Sequence, residues 1–345
     1  MNVLVTGDRG YIGSSLAPLL LKENFKVIGF DTEFFRNEIN SSGSQYPKIT
    51  KDIRQISKDD LQGIDSVVHL CALSNDPMGD LNADLTHEIN YEGTVKTAKL
   101  AKEAGVKRFL FSSSCSIYGI AKDGIIDENS LVNPLTAYAK SKIDAEKELI
   151  SLADSNFCVG IMRNSTVYGF APKFRNDLVV NNLVTTALAF KQIRVMSDGT
   201  PWRPLIDVRD LSKIFIEFLK ADKEKINAKI INVGFEENNF QVKDIISFIQ
   251  KYISDCEVIY TGEHGKDARS YKVNFDKFNS IFPQIKQEWT LDKSIKDMVE
   301  NLKKFGFEKK NFEEGEFTRL MVLKKLISEN SINQDLYWVD HSASS

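Results

Sequence analysis

The stretch TGDRGYIG, residues 6–13, decides the fold. On its N-terminal side Val3, Leu4 and Val5 form a short apolar run that reads as a buried strand. On its C-terminal side Tyr11 to Leu21 carries Ile12, Leu16, Leu19 and Leu20 at helical spacing. Strand, tight turn and helix is the setting in which three glycines share one task. Gly7 permits the sharp turn, Gly10 lets the backbone approach a pyrophosphate, and Gly13 lets the helix lie close to the strand. The helix start then offers free N–H groups and the positive end of its dipole to an anion. The spacing G-x-x-G-x-x-G is one residue longer than the commonest form. A plain structural turn would also use glycines, but the flanking pattern and the position favour a dinucleotide, with Arg9, Tyr11 and Ile12 beside it.

Outward from this turn the first half alternates strand and helix. KVIGFD (26–31), SVVHLCA (66–72), RFLFSSS (108–114) and CVGIMR (158–163) read as strands. Residues 84–104 and about 137–153 read as helices, and a loop rich in Asn, Asp, Pro and Gly spans 74–82. Repeated βαβ units imply an α/β fold, a Rossmann-type doubly wound parallel sheet whose ligands sit beyond the carboxyl ends of the strands. After about residue 165 the pattern loosens. FRNDLVVNNLVTTALAF suggests a helix, and IRVMSDGTPWRPLIDV suggests strand, turn and strand. A helix at 208–221 and KIINVG (229–234) read as a return to the main sheet. The expected division is a nucleotide-binding domain over 1–165 plus about 205–234. A smaller, mostly C-terminal α/β substrate domain takes about 166–204 and 235–345, with amphipathic helices near 241–253 and 292–305. A docking helix (317–329) and a frayed end belong to its tail.

Composition narrows the function. The chain has 345 residues, enough for one large core or two domains, and a net charge of −3. That balance implies no nucleic-acid or membrane field, and no apolar run reaches the roughly 18 residues of a membrane span. With a strand beginning at residue 2 or 3, no signal peptide is expected, and the expected location is cytoplasmic. Cys71, Cys115, Cys158 and Cys256 are scattered, which suits buried free thiols in a reducing compartment. No Cys/His cluster has metal-ligand spacing, so no metal is expected.

Two further positions carry chemistry. Asp31 ends the second strand, 18 residues after Gly13. An acid there hydrogen-bonds the adenosine ribose and repels a 2′-phosphate, which favours NAD over NADP. Arg9 pulls the other way, because a guanidinium could meet that phosphate. Tyr138 and Lys142 lie in YAKSK, and their four-residue spacing puts both on one helix face. A tyrosine with its ordinary pKa near ~10 is a poor base at neutral pH. A lysine ammonium close by stabilises the phenolate and brings it toward the working range. Ser114 ends the preceding strand, where it can hydrogen-bond a reacting hydroxyl and hold it against Tyr138.

Together TGDRGYIG, Asp31, SSSCSIYG and YAKSK resemble the extended short-chain dehydrogenase/reductase superfamily. More narrowly, the chain resembles the NAD-dependent nucleotide-sugar epimerase/dehydratase family. KRFLFSSS, WRPLIDVRD and INVG are similar to that family's segments, so the resemblance covers roughly residues 1–300. It implies a catalytic triad of Ser114, Tyr138 and Lys142, with NAD as cofactor. Asp52 and Ile53 would flank the adenine, Leu70, Cys71 and Ala72 would line the dinucleotide path, and Asn90 would steady the site. Arg203 and Arg269 match positions that contact the diphosphate of a sugar nucleotide, which suits two fixed guanidiniums. Arg175, in FRND, is a further substrate candidate. The resemblance also implies a homodimer through the helices at 84–104 and 137–153.

The departures from the family are informative. Where many members have Asn before V-Y-G, this chain has Thr166, leaving Asn164 as the substitute contact. Sugar 4,6-dehydratases carry Asp-Glu after the catalytic hydroxyl residue; here Cys115-Ser116 follows Ser114. GDP-fucose synthase-like enzymes need Cys at the second position after the Ser and a His partner. Strand alternation puts Ser116, not Cys115, on the face of Ser114, and His69, His87, His264 and His341 form no partner. What remains is oxidation and re-reduction at one carbon of a nucleotide-diphosphate sugar, an epimerase acting at C4 with Tyr138 as base. Alternatives are a 4-dehydrogenase or 4-ketoreductase with the same residues, and a non-catalytic NAD sensor or scaffold. An RNA-binding role finds no basic stripe or aromatic platform.

Overall fold

The computed structural model describes residues 1–39, 45–74, 82–119, 124–261 and 270–339. Its centre is a seven-stranded sheet. The strand order is Lys229–Val233, Cys158–Asn164, Arg108–Ser114, Ser66–His69, Asn2–Thr6, Lys26–Asp31 and Lys48–Thr50. Every neighbouring pair is parallel. The chain reverses its direction of travel across the sheet between Asn2–Thr6 and Ser66–His69, which opens a crevice at their carboxyl ends. Such strands are covered on both faces, so they read as continuous apolar runs. Tyr11–Lys22 and Val208–Lys220 pack on one face, around Leu16, Leu20, Phe215 and Phe218. Gly93–Glu103 and Ala137–Leu152 cover the other, around Ala98, Ala101, Ala145 and Leu149.

The second core is smaller. Helices Val179–Phe190, Val242–Tyr252 and Leu291–Phe305 enclose Leu183, Ile249, Ile295 and Leu302. The last of these begins on a Thr290 cap and ends at Gly306, whose φ of +79° is the left-handed stop that glycine tolerates. Trp202–Asp207 runs parallel to Thr166–Tyr168 and antiparallel to Asn239–Gln241.

Three expectations change. The strand expected over 66–72 ends at His69, because the Gly7 turn presses on Leu70 and Cys71; a Cβ on Gly7 would stand 3.0 Å from Cys71 N. The helix expected over 84–104 is interrupted by a π turn, Glu88–Glu92, between Ala83–His87 and Gly93–Glu103. The extra residue turns Asn90 inward, where its amide bonds both Leu73 N–H (2.8 Å) and Leu73 carbonyl (3.1 Å). Both strands expected in IRVMSDGTPWRPLIDV form, Gln192–Val195 and Trp202–Asp207, in different sheets. Gln192–Val195 pairs with Glu257–Tyr260, which lets Ile193 and Val195 face the second core. Finally, the C-terminal helix, Arg319–Ser328, and residues after it pack against the nucleotide-binding domain as well. Among the described residues no helix is long and apolar enough to cross a membrane, and no cluster of His, Cys, Asp and Glu could hold a metal.

Candidate active site

The glycine turn sets one wall. Gly7 takes a φ of +77°, and Gly10 N–H closes the turn on the Gly7 carbonyl at 3.0 Å. Gly13 is the tightest point: a Cβ there would stand 2.2 Å from the Gly7 carbonyl oxygen and 2.5 Å from Asp8 Cα. Any side chain would drive the helix off the strand.

Asp8 and Arg9 turn away from the crevice. The Arg9 guanidinium donates to the carbonyls of Asp31 and Ile49, both at 2.9 Å, and to Thr50 Oγ1, and pairs with Glu33 at 3.1 Å. It clasps the ends of strands Lys26–Asp31 and Lys48–Thr50. Its backbone N–H meanwhile donates to Asp31 Oδ2 at 3.2 Å. Asp8 accepts from Tyr46 Oη at 3.0 Å. Gly29 is bare because a Cβ would meet the Asp8 carboxylate at 2.2 Å. Burial, and then the charge of Asp31, pushes the Asp8 carboxyl up to about 6.

A cleft of about 690 Å³ lies along the carboxyl ends of the central strands. Gly7, Gly10, Tyr11, Ile12 and Gly13 line it at one end with Asp31, Asp52 and Ile53. Leu70, Cys71 and Ala72 line its floor, and Ser114, Ser116, Tyr138 and Lys142 its middle. Asn164, Arg175 and Arg203 also face it. Of the residues expected from the sequence, Arg9 does not line the cleft, and Arg269 lies outside the described residues.

The reactive pair sits where a helix begins. Thr136 caps Ala137–Leu152 by accepting from Ala139 N–H at 3.1 Å, so Tyr138 falls in the first turn and Lys142 one turn later. Lys142 Nζ donates to the Ser112 carbonyl at 2.8 Å and lies 5.7 Å from the Tyr138 ring centroid. Burial pushes the Lys142 ammonium down to about 8. Glu146, the next residue on this face, receives Arg163 through both carboxylate oxygens and also accepts from Ser113 Oγ. That buried ion pair fastens the helix to the strand behind it. Ser114 Oγ accepts from Ser116 N–H at 3.1 Å, starting a short 3-10 turn. Cys115 is buried with its thiol donating to the Arg163 carbonyl at 3.2 Å, while the Ser116 hydroxyl, on the cleft side, has no hydrogen-bond partner among the described residues.

Asn164 Nδ2 donates to Ser112 Oγ at 2.9 Å, and its buried Oδ1 has no partner among the described residues. Arg175 pairs with Asp177 at 2.8 Å and donates to Ser74 Oγ. Arg203 Nη1 donates to the Trp202 carbonyl at 3.0 Å. His69 bridges Thr6 and Thr94, both at 2.9 Å; burial holds it neutral, its pKa down to about 3, so it ties strand to helix rather than moving protons. Ser112, Tyr271 and Arg319 line the cleft without having been singled out in the sequence.

These residues fit a dinucleotide. The turn that a Cβ would fill leaves backbone N–H groups bare toward an anion. Asp31, held by N–H groups of Arg9 and Glu33, presents a buried acceptor at the next strand end for a ribose diol. Lys142 lines the same cleft with its ammonium on the Ser112 carbonyl.

Comparison with known proteins agrees with that geometry. The profile of the NAD dependent epimerase/dehydratase family matches residues 3–234. The UDP-glucuronate 4-epimerase of Thermodesulfobacterium geofontis is 26% identical over 319 residues, covering 87% of this chain and 96% of the relative. The dTDP-D-glucose 4,6-dehydratase of Homo sapiens is 27% identical over 317 residues, covering 86% and 89%. Among solved structures, MoeE5 in complex with UDP-glucuronic acid and NAD superposes with a TM-score of 0.78 at 25% identity, covering 88% of this chain and 99% of that one. The chain belongs to the NAD-dependent epimerase/dehydratase family, and its cofactor is NAD.

Proposed function

We propose that the protein is an epimerase of a nucleotide-diphosphate sugar, inverting C4 through a transient 4-keto sugar. One observation carries the reading. The Ser114, Tyr138 and Lys142 set lines one cleft, while the two residues after Ser114 are a buried thiol and a hydroxyl. Loss of the C6 hydroxyl would need an acid to protonate it and a base for the C5 proton. Cys115 and Ser116 supply neither.

In this reading Tyr138, as phenolate, takes the proton of the sugar C4 hydroxyl, which Ser114 holds by a hydrogen bond. NAD, when bound, would supply the hydride acceptor and donor for C4. Lys142 holds the nicotinamide ribose and keeps Tyr138 ionised through its charge. Arg175 and Arg203 face the sugar nucleotide's diphosphate, and Asn164 and Ser116 face the sugar side. The relatives that act on UDP-glucuronate and dTDP-glucose support the substrate class and leave the base and the sugar open. The same reading takes the protein to be a homodimer through Gly93–Glu103 and Ala137–Leu152, which light scattering tests.

The deciding experiment is proton NMR of the protein with NAD and a panel of nucleotide sugars in D2O. A C4 epimer without deuterium uptake is the expected result. Deuterium at C5, or a 6-deoxy-4-keto product, would replace epimerisation by dehydration. A keto sugar forming in step with NADH would make the protein a dehydrogenase.

A further inference from the structure

Arg319 is a buried cation with an unusual address. It opens the helix Arg319–Ser328, yet its side chain lines the cleft together with Tyr11 and Asp31. It is 2% exposed. Its guanidinium lies 4.3 Å from the Phe35 ring centroid, and Nη2 donates to the Lys173 carbonyl at 2.9 Å. Among the described residues no carboxylate stands within ion-pairing distance of it. Burial, with Arg175 adding to it, pushes its pKa down to about 9. A guanidinium has five N–H donors in a planar fork, suited to two oxygens of a phosphate. Asp177 and Asp31 offset that only in part, and Arg175 beside it is already paired with Asp177, so an anion in the cleft would relieve Arg319.

The surrounding chain holds this residue in place. Arg319 N–H donates to Asp177 Oδ2, and Thr318 Oγ1 donates to Asn176 Oδ1 at 2.6 Å. Farther on, Trp338 Nε1 donates to the Thr32 carbonyl at 2.7 Å, and its ring packs on Phe34. Arg54 donates to the Asp335 carbonyl and lies 3.8 Å from the Tyr337 ring centroid. The C-terminal segment is thereby fastened to the residues on either side of the adenosine end of the cleft.

We propose that Arg319 is a diphosphate-binding residue of the cofactor site, contacting the pyrophosphate of NAD, and that the C-terminal segment forms part of that site's wall. A nucleotide sugar carries the same diphosphate chemistry. Tyr11, Asp31 and Phe35 beside Arg319 favour the dinucleotide. The inference does not depend on which sugar is turned over, or on whether the reaction is epimerisation.

The test is equilibrium binding by calorimetry on the full-length protein freed of nucleotide, with NAD, ADP-ribose, adenosine and UDP as separate probes. Arg319→Met keeps an unbranched apolar stem and removes the fork, including its contact with Phe35. It should weaken NAD and ADP-ribose by about 10–100-fold, the scale of a hydrogen bond to a charged group, and leave adenosine and UDP unchanged. Arg319→Lys, which keeps the charge, should recover part of the loss. Unchanged NAD affinity would overturn the proposal. So would a loss confined to UDP, which would move the contact to the sugar nucleotide. Equal losses for adenosine and NAD, with a lower melting temperature in the ligand-free Lys variant, would make Arg319 a structural clamp.

Discussion

The Lys142 ammonium lies 5.7 Å from the centre of the Tyr138 ring, one helical turn along the same face. At that distance a positive charge favours the phenolate, and its removal raises the phenol's pKa. Tyr138→Phe should cut turnover by about 10³-fold while NAD still binds, because only the hydroxyl is lost. Lys142→Met should lower kcat and move the acid limb of the pH profile upward. The wild-type ammonium, down to about 8, is fully present below that pH and is lost above it, so kcat/KM of the wild type should also decline through pH 8–9. Profiles from pH 5.5 to 10 measure both limbs, and an acid limb unmoved by Lys142→Met would separate the lysine from the ionisation of Tyr138.

Asp31 and Arg9 share a second prediction. A carboxylate at the ribose excludes a 2′-phosphate, and Arg9 is already committed to the Asp31 and Ile49 carbonyls and to Glu33. Asp31→Ser should weaken NAD about tenfold, the loss of one charged hydrogen bond, and should not by itself create tight NADP binding. The two dissociation constants measured side by side decide it; an NADP constant at or below that for NAD would mean that Arg9 leaves its clasp.

Asp8 makes stability pH-dependent in an unusual direction. Its carboxyl is raised from 3.8 to about 6, so between those values the folded chain holds a proton that the unfolded chain has lost. Folding is therefore favoured at low pH by this group, and that contribution is lost as pH rises through about 6. Asp8→Asn should be neutral near pH 4 and stabilising by about 1–3 kcal/mol at pH 7.5, a net figure that already includes the attraction to Arg9. Urea midpoints at the two pH values check the sign.

The Glu146–Arg163 pair predicts a large loss. Both groups are buried, and removing one leaves the other charge without compensation. Glu146→Ala should cost about 3–5 kcal/mol, while Glu146→Leu with Arg163→Met should recover much of it. Chemical denaturation of the single and double variants measures the coupling.

The parts of this fold that were legible in the sequence are those set by local spacing. The glycine turn between an apolar run and a periodic helix, and the tyrosine and lysine four apart, need only a few neighbouring residues to be recognised. The features that were not legible depend on distant partners. The inward turn of Arg9 exists because strands ending at Asp31 and Thr50 expose their carbonyls beside it. The π turn exists because Leu73, seventeen positions away, has a backbone N–H and carbonyl to satisfy. Arg319 sits in a weakly patterned, charged stretch whose periodicity gave no hint of a cleft. An arginine next to a helix start offered one signal, but it is shared by many surface residues.

The bond from Trp338 to Thr32 joins positions 306 residues apart. During synthesis the first strand and the glycine turn emerge before that tryptophan does; at roughly 5–20 residues per second the delay is about 15–60 seconds. For that interval the adenosine end of the crevice lacks its outer side, and Phe34 and Phe35 lack the rings and guanidinium that cover them. The side of the cleft that Arg319 and Trp338 add is therefore built only after they have folded back on Thr32, Phe34 and Phe35.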